Sequence, residues 1–302
     1  MKRLLTTLPR LLAKLLKIDC SSREKLIRER IDQVLANIQR LQIEDPVVRS
    51  ADFAGDFAID ARSHLYSRFI VDGFYEPEVA KLLDRHLPRQ RDVLDVGANI
   101  GLFSVKCASL LPSNKVIAVE PTPNALGRLR KNIARNGLEE RIEVFAGVAS
   151  DKEGTVDINF IPGKEEYSTV GNLAHPSVAG LSISSVKVEA LPLDSIISRY
   201  GVDPGFIKID VEGMEHHVLA GATETLRSAR PIVLCELCDP LLRANGSSSA
   251  DVLSIFSNAD YTILDADNSA AIPGASSYGN IICFPKEMGI TTAALSPICP
   301  AH

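Results

Sequence analysis

The chain has 302 residues, of which 45% are hydrophobic and 24% are charged, the composition of an ordinary globular protein with room for a large core. Its net charge of −5 gives no general attraction to phosphate backbones, so no nucleic acid partner is expected. The apolar runs are strand-sized, far below the roughly 20 residues that span a bilayer, so no transmembrane segment is expected.

The first 50 residues predict a helical extension ahead of the main domain. Residues 1–18 mix leucines with lysines and arginines, an amphipathic pattern that suits packing onto a protein surface or peripheral contact with anionic lipid. The segment lacks the uninterrupted apolar region and cleavage site of a signal peptide, so export is not expected. A second helix carries apolar residues from Ile27 to Leu41 in a short heptad seam, which leaves homodimerisation and packing onto the main domain as open alternatives.

A lead-in segment over residues 51–90 joins this extension to the main domain, which we place over residues 91–302. The lead-in ends in a predicted helix, EPEVAKLLDRHL, and beyond it short apolar strands alternate with helical stretches. This alternation predicts an α/β, Rossmann-like fold with a mostly parallel sheet and helices on both faces. The predicted strands run from Asp92 to Val96, Val116 to Glu120, Ile142 to Gly147, Phe206 to Asp210, Ile232 to Leu237, Tyr261 to Asp265 and Ile281 to Pro285.

The alternation breaks between Asp151 and Leu191. The segments TVDINF and SISSVKVEA predict a pair of strands on either side of a polar loop from Gly163 to Gly180. A loop of this length inside a compact domain is commonly functional. It contains His175, for which contact with a substrate and ordinary solvation are both open.

Six cysteines occur without the density or regular spacing of a secreted disulfide framework. Cys235 and Cys238 form a CxxC, but this pair lies in an apolar run and no second CxxC or Cys/His ligand set accompanies it. We therefore expect reduced thiols in a cytoplasmic protein.

The segment VLDVGANIG predicts a ligand-binding turn between a strand and a helix. Asp95 ends the strand, and Gly97, Asn99 and Gly101 follow in a tight loop where glycines permit close approach of a ligand. The lysine of a nucleotide-binding P-loop is absent, and the G-x-x-x-G spacing departs from the G-x-G-x-x-G of dinucleotide folds. The carboxylate of Asp95 would repel a pyrophosphate but suits a ligand with an ammonium and a sulfonium group, which favours S-adenosylmethionine.

A second acid supports an adenosine cofactor. Glu120 ends the next predicted strand, 19 residues past Gly101, where a carboxylate can accept both ribose hydroxyls. Because dinucleotides contain the same ribose, Glu120 does not distinguish a dinucleotide from S-adenosylmethionine. Asp95, Glu120 and Asp210 all end predicted strands, so they should converge on one crevice at the carboxyl edge of the sheet.

These segments resemble the FkbM-type family of class I methyltransferases in order and spacing. The matching stretches are YEPEVAKLLDRHL, DVLDVGANIGLFSV, VIAVEPTPNALGRLRKNIARN, LPLDSII, IKIDVEGMEHHVLAGA and PIVLCEL. The resemblance implies a seven-stranded class I fold. It also implies methyl transfer from S-adenosylmethionine to a small-molecule or carbohydrate acceptor, most often to a hydroxyl oxygen of a sugar, glycolipid precursor or secondary metabolite.

The resemblance also implies roles for particular residues. Asp210 would face the sulfonium group. Independently of the resemblance, we expect the long loop from Gly163 to Gly180 to help to cover the acceptor. The other cofactor-binding positions are Asp95, Gly97, Asn99 and Gly101 at the methionine end, Glu120 at the ribose, and the stretch from Gly147 to Ala149 at the adenine.

A hydroxyl acceptor needs a base, because its proton must leave as the new bond forms. The candidates are Asp210, Glu212 and His216. Lys208 shares one face of the strand with the two acids and is expected to orient them as an ion pair. Glu236, which ends the next strand, is either a further site residue or a helix cap. These acids offer oxygen ligands suited to magnesium, but nothing in their spacing requires a metal, and we predict none.

Two rival functions are compatible with parts of the sequence. An NAD-dependent oxidoreductase tolerates the glycine loop and Glu120, but Asp95 and the DVEG segment disfavour it. A non-catalytic interaction protein would dock a partner through the amphipathic N-terminus, but the intact acids and glycines argue against a decayed site.

Overall fold

The computed structural model describes residue 30 and residues 45–162, 168–170, 182–266 and 278–290. The basic segment 1–18, the heptad helix apart from Arg30, and His175 lie outside the described residues. The described strands are β1 Val47–Ser50, β2 Gly55–Ala58, β3 Asp92–Val96, β4 Val116–Val119, β5 Ile142–Phe145, β6 Gly147–Ser150, β7 Gly154–Phe160, β8 Ser184–Pro192, β9 Pro204–Ile209, β10 Ile232–Cys238, β11 Tyr261–Asp265 and β12 Tyr278–Pro285. The described α-helices are α1 His64–Val71, α2 Pro77–His86, α3 Leu102–Leu110, α4 Pro123–Arg135, α5 Leu193–Tyr200, α6 Glu215–Ala220, α7 Thr223–Ser228, α8 Asp239–Ala244 and α9 Ser249–Asn258.

Seven strands form the central sheet, in the order β11-β12-β10-β9-β3-β4-β5. β12 runs antiparallel to β10 and β11, and the other adjacent pairs are parallel. Successive strand residues point to two hydrophobic clusters on opposite faces, as Val93 and Leu94 do. Because both faces are buried, the strands read as unbroken apolar runs. The predicted Rossmann-like class I fold is therefore confirmed.

A separate three-stranded sheet has the order β6-β8-β7. The antiparallel pairing of β7 with β8 confirms the predicted strand pair. The predicted strand from Ile142 to Gly147 needs correction, since β5 ends at Phe145 and Gly147 begins β6, which pairs in parallel with β8. Glycine is needed at this change of sheet, because a Cβ at Gly147 would lie 2.5 Å from the carbonyl oxygen of Glu189.

The lead-in segment packs into the core of the main domain. The ring of Phe53 meets that of Phe103 on α3 edge-on, with centroids 5.0 Å apart. Asn132 of α4 is fully buried, and its Oδ1 accepts the N–H of Ala58 at 2.8 Å. Its Nδ2 donates to the carbonyl oxygens of Ala58 at 3.2 Å and Ile100 at 2.9 Å. One side chain thus ties the lead-in to the loop after β3.

The helical extension predicted over residues 1–50 is wrong at its last four residues, which form β1. Two β-branched residues, Val47 and Val48, favour a strand, and Pro46 before them disfavours a continuing helix. β1 pairs with β2 in an antiparallel hairpin.

Two further expectations concern the state of the cysteines and the presence of membrane-spanning helices. Cys107, Cys235, Cys238 and Cys283 carry free thiols, whereas Cys20 and Cys299 fall outside the described ranges. No helix within the described ranges is long and apolar enough to cross a membrane.

Candidate active site

The loop between β3 and α3 has a left-handed backbone at three positions. Gly97, Asn99 and Gly101 have φ angles of +82°, +50° and +91°. The N–H groups of Gly97 and Ala98 both donate to the carbonyl oxygen of Val119 at 3.0 Å, which fixes the loop against the end of β4. Glycine adopts such angles without strain, and asparagine tolerates them better than most residues.

Protein contacts exclude a side chain at Gly97 and crowd one at Gly101. A Cβ at Gly97 would lie 1.8 Å from the backbone oxygen of Asp210, and one at Gly101 would lie 2.6 Å from the side chain of Leu129. The sequence suggested that these glycines admit a ligand. In the structure they allow the end of β9 and helix α4 to approach the loop.

Asp95 lies beneath the loop and is only 1% exposed. Ser104 Oγ donates to its Oδ2 at 2.6 Å, whereas its Oδ1 is buried with no hydrogen-bond partner among the described residues. Burial raises the pKa of Asp95, and the charge of Lys208 opposes this effect. Asp95 is not among the described residues that line the cavity defined below. It therefore offers one unsatisfied acceptor oxygen from below the loop.

Glu120 follows β4 and is 4% exposed. Its Oε2 accepts the N–H of Asn99 at 2.8 Å. Its Oε1 accepts the N–H and the hydroxyl of Thr122, at 2.8 and 2.6 Å. The carboxylate thus links the loop after β3 to the turn after β4, so it is held in place where it lines the cavity.

Lys208 and Asp210 form a partly buried ion pair at the end of β9, as predicted. Lys208 Nζ lies 2.9 Å from Asp210 Oδ2 and 4.6 Å from the ring centroid of Phe103. Burial alone would lower the pKa of Lys208, but the charges of Asp210 and Asp95 outweigh it and raise the pKa. Burial would likewise raise the pKa of Asp210, but the charge of Lys208 and a hydrogen bond with Glu236 lower it. Asp210 is therefore an ionised carboxylate at neutral pH.

Three acids gather where β9 and β10 end. One carboxylate oxygen from each of Asp210, Glu212 and Glu236 lies within 4.8 Å of the others, and all three residues line the cavity. Lys208 already neutralises part of this charge, and carboxylate spacing alone does not assign a metal.

His216, the third candidate base, is not among the described residues that line the cavity. Helix α6 buries Glu215, Val218 and Leu219 on one face. The residue after Glu215 points about 100° away from that face, because an α-helix has 3.6 residues per turn. The structure therefore gives His216 no contact with the cavity.

Glu215 has a role that sequence reasoning missed. It is 2% exposed, and its Oε1 accepts the N–H groups of Val211 at 3.2 Å and Gly213 at 3.1 Å. Burial raises the pKa of Glu215 to about 7, although these backbone hydrogen bonds oppose the shift. Its carboxylate fixes the turn that presents Glu212.

The site residues described above border one cavity of about 320 Å³, a size found for small-molecule sites, with the exception of Asp95, Gly101, Glu215 and His216. Gly147 and Ala149 of β6 line it, next to the loop after β3 and Glu120. Residues 168–170, the described part of the predicted polar loop, line it as well.

The lead-in segment forms a further wall of this cavity, which sequence reasoning did not foresee. His64, Leu65 and Arg68 come from α1, and Tyr75 and Glu76 precede α2. A signal was present, since YEPE begins one of the family-matching stretches. No periodicity, however, connects it with acids more than a hundred residues later in the chain.

Comparison with protein families gives a match to the methyltransferase FkbM domain over residues 95–263, more than half of the chain. The matched region contains the loop after β3, Glu120 and the acids that end β9 and β10. It leaves out the lead-in wall of the cavity.

Several characterised proteins are similar in sequence. The 2-O-methyltransferase NoeI of Sinorhizobium fredii is 29% identical over 163 residues, covering 51% of this chain and 65% of NoeI. The hexuronic acid methyltransferase AglP of Haloferax volcanii is 26% identical over 200 residues, covering 64% of this chain and 74% of AglP. The chain spans less than two thirds of the length of several such relatives, NoeI among them.

Among solved structures, the O-methyltransferase TomG of Streptomyces achromogenes, in complex with S-adenosylmethionine, is similar to this chain with a TM-score of 0.43. The identity is 13%, and the alignment covers 85% of this chain and 98% of TomG.

Proposed function

The chain belongs to the methyltransferase FkbM domain family, and we propose that it transfers a methyl group from S-adenosylmethionine to a hydroxyl oxygen of a sugar, glycolipid precursor or secondary metabolite. One observation carries the proposal: the loop after β3, Glu120 after β4 and Asp210 after β9 border a single cavity. Ligands of parallel α/β sheets bind outside the carboxyl ends of the strands, where these groups lie. The names of NoeI, a 2-O-methyltransferase, and AglP, a hexuronic acid methyltransferase, support an oxygen acceptor on a sugar.

The residues present fit S-adenosylmethionine. Its ammonium group would lie near the loop from Gly97 to Gly101, above the carboxylate of Asp95, whose Oδ1 has no hydrogen-bond partner among the described residues. Glu120 would hold the ribose, and Gly147 and Ala149 would border the adenine. When bound, the cofactor supplies a methyl group on positively charged sulfur, so that positioning of the acceptor provides much of the rate.

Asp210 and Glu212 would form the acceptor side of the cavity with Glu236. Because Lys208 keeps Asp210 ionised, Asp210 would accept a hydrogen bond from the acceptor hydroxyl and orient it. The contribution of residues 168–170 to the cavity supports a covering role for the polar loop. His216 has no part in this proposal. We propose a cytoplasmic location because the four described cysteines carry free thiols, which are typical of a reducing compartment.

Asp95→Asn should weaken the binding of S-adenosylhomocysteine at least about tenfold, because it removes a buried negative charge beneath the loop that would attract the ammonium group of the ligand. Asparagine keeps the shape of the side chain and an acceptor for Ser104, so the fold should persist. Calorimetric titration of the purified proteins measures the affinity, with NAD as the control ligand. Binding of NAD alone, or of neither ligand, would contradict the proposed function.

Glu120→Gln should also weaken S-adenosylhomocysteine binding about tenfold, because a charge-assisted bond to the ribose is about twice as strong as a neutral one. Its amide would in addition face the N–H groups of Asn99 or Thr122. The matched control is Glu143→Gln on β5, a partly exposed acid paired with Lys115 outside the cavity. Equal affinity of the Glu120 and Glu143 variants would remove Glu120 from the ribose role.

A further inference from the structure

We propose that Glu76 is the general base of the reaction and that its carboxylate accepts the proton of the acceptor hydroxyl. This inference rests on the proposed methyl transfer and adds a catalytic residue from outside the family-matched region. Glu76 lines the same cavity as Asn99, Glu120 and Asp210, but it comes from the lead-in segment. An acceptor in this cavity would be bordered both by the carboxyl edge of the sheet and by Glu76.

The backbone at Glu76 has an uncommon conformation. Glu76 is the N-cap of α2, with φ +37° and ψ +54°, a left-handed conformation that few non-glycine residues adopt. Its side chain makes no capping hydrogen bond to the helix. It accepts a hydrogen bond from the Tyr75 hydroxyl and lines the cavity. Backbone conformations of this kind concentrate at functional sites.

Tyr75 orients the carboxylate of Glu76. Burial raises the pKa of Tyr75 well above its ordinary value, and the negative charges of Glu76, Asp210 and Glu236 raise it further. The hydroxyl therefore stays protonated at neutral pH and donates to Glu76. Since a carboxylate has two oxygens that each accept more than one hydrogen bond, Glu76 keeps capacity for a substrate proton.

Asp210 is less suited to remove that proton. Its Oδ2 accepts a hydrogen bond from Lys208 Nζ at 2.9 Å, and Glu236 bonds to the same carboxylate. Both partners lower the pKa of Asp210, and a carboxylate stabilised in its ionised form is a weak base. Asp210 can hold the hydroxyl in place while another group takes the proton.

The surroundings of Glu76 favour proton uptake. Burial, followed by the charge of Asp210, raises the pKa of Glu76 to about 7, against opposing effects of Lys208, Tyr75 and Arg68. A base is most effective when its pKa lies near the working pH. The other titratable side chains on the described cavity wall are His64, Glu120, Glu212 and Glu236.

The proposed step conserves atoms and electrons. The O–H bond of the acceptor breaks, and its proton moves to the carboxylate of Glu76. The oxygen uses an electron pair to bond the methyl carbon, while the carbon–sulfur bond breaks and its pair stays on sulfur. S-adenosylhomocysteine leaves with a neutral sulfur, and Glu76 returns the proton to solvent.

Proton release on cofactor binding tests this assignment without an acceptor. S-adenosylmethionine and S-adenosylhomocysteine are titrated calorimetrically at pH 7 in two buffers of different ionisation enthalpy, which gives the number of protons released. The two ligands differ in the positive charge on sulfur, which would lower the pKa of a carboxyl group nearby. With its pKa about 7, Glu76 is about half protonated, so S-adenosylmethionine should release up to about half a proton more.

Glu76→Gln removes the titrating group, and Glu78→Gln is the matched control, since Glu78 is exposed on the first turn of α2. The difference between the two ligands should persist in the Glu78 variant and disappear in the Glu76 variant. Affinity for S-adenosylhomocysteine should stay within about threefold of the unmodified protein in both variants, a change below ~1 kcal/mol.

The unmodified protein alone can overturn the assignment, whether or not the variants fold. If it binds both ligands with equal proton release, or if the difference survives in Glu76→Gln, Glu76 does not titrate beside the sulfur. A large loss of S-adenosylhomocysteine affinity in Glu76→Gln would assign Glu76 to cofactor binding and also overturn the base role. Failure of the unmodified protein to bind either ligand would instead contradict the proposed function itself.

Discussion

Gly97→Ala should lower the free energy of unfolding by about 4 kcal/mol or more and abolish binding of S-adenosylhomocysteine. The added Cβ would lie 1.8 Å from the backbone oxygen of Asp210, on a residue with φ +82°. This clash is relieved only if the ends of β3 and β9 separate. Their separation breaks the 3.0 Å hydrogen bond from the Asp210 N–H to the Val96 carbonyl oxygen. The displaced strand end also carries the Lys208 ion pair.

The matched control is Gly127→Ala, in the middle of α4. Gly127 is exposed, and a Cβ there would meet no atom within 4 Å. Alanine should stabilise this helix by about 1 kcal/mol, because glycine has the higher entropy cost in a helix. Urea unfolding followed by circular dichroism measures both variants. Equal stability of the two would refute the close approach of β3 and β9.

Asn132→Ala should lower the free energy of unfolding by about 3 kcal/mol, because it removes three buried hydrogen bonds of about 1 kcal/mol each. Ala58 and Ile100 are each less than one tenth exposed to solvent, so water cannot readily replace the lost hydrogen bonds to their backbone groups. Because Ile100 belongs to the loop after β3, binding of S-adenosylhomocysteine should weaken as well.

Lys131→Ala is the control for this change, since Lys131 precedes Asn132 on the same helix and is exposed. Its effect on stability should stay within about 0.5 kcal/mol. Denaturant unfolding gives the stability, and calorimetry gives the affinity. If Asn132→Ala unfolds at the same urea concentration as Lys131→Ala, the lead-in is not held by this side chain.

The central sheet was predictable from sequence because its strands are buried on both faces. Runs such as VIAV from Val116 to Val119 contain only apolar residues, and the predicted bounds of β3 and β11 coincide with those observed. The end of β5 could not be predicted from the local sequence. Gly147 continues the local pattern, but its pairing partner is Glu189, far along the chain, so only the tertiary structure reveals the change of sheet.

The candidate site was predictable where its residues follow adjacent parallel strands. Asn99 and Glu120 meet across adjacent parallel strands, whose carboxyl ends necessarily lie together. The position of His216 depends on how α6 rotates after its first residue, which residue type does not determine. Sequence reasoning missed Glu76 because its pKa depends on burial and on the charges of Lys208 and Asp210. These residues lie near Glu76 only in the folded protein.

The contact between Asn132 and Ala58 has a consequence for synthesis of the chain. The two residues are 74 positions apart, and ribosomes add about 5–20 residues per second, so the lead-in waits about 4–15 s for its partner on α4. During that interval Phe53 and Phe57, which are fully buried in the folded protein, lack the part of their hydrophobic cluster that α4 supplies. The nascent lead-in segment therefore exposes aromatic surface until α4 has emerged.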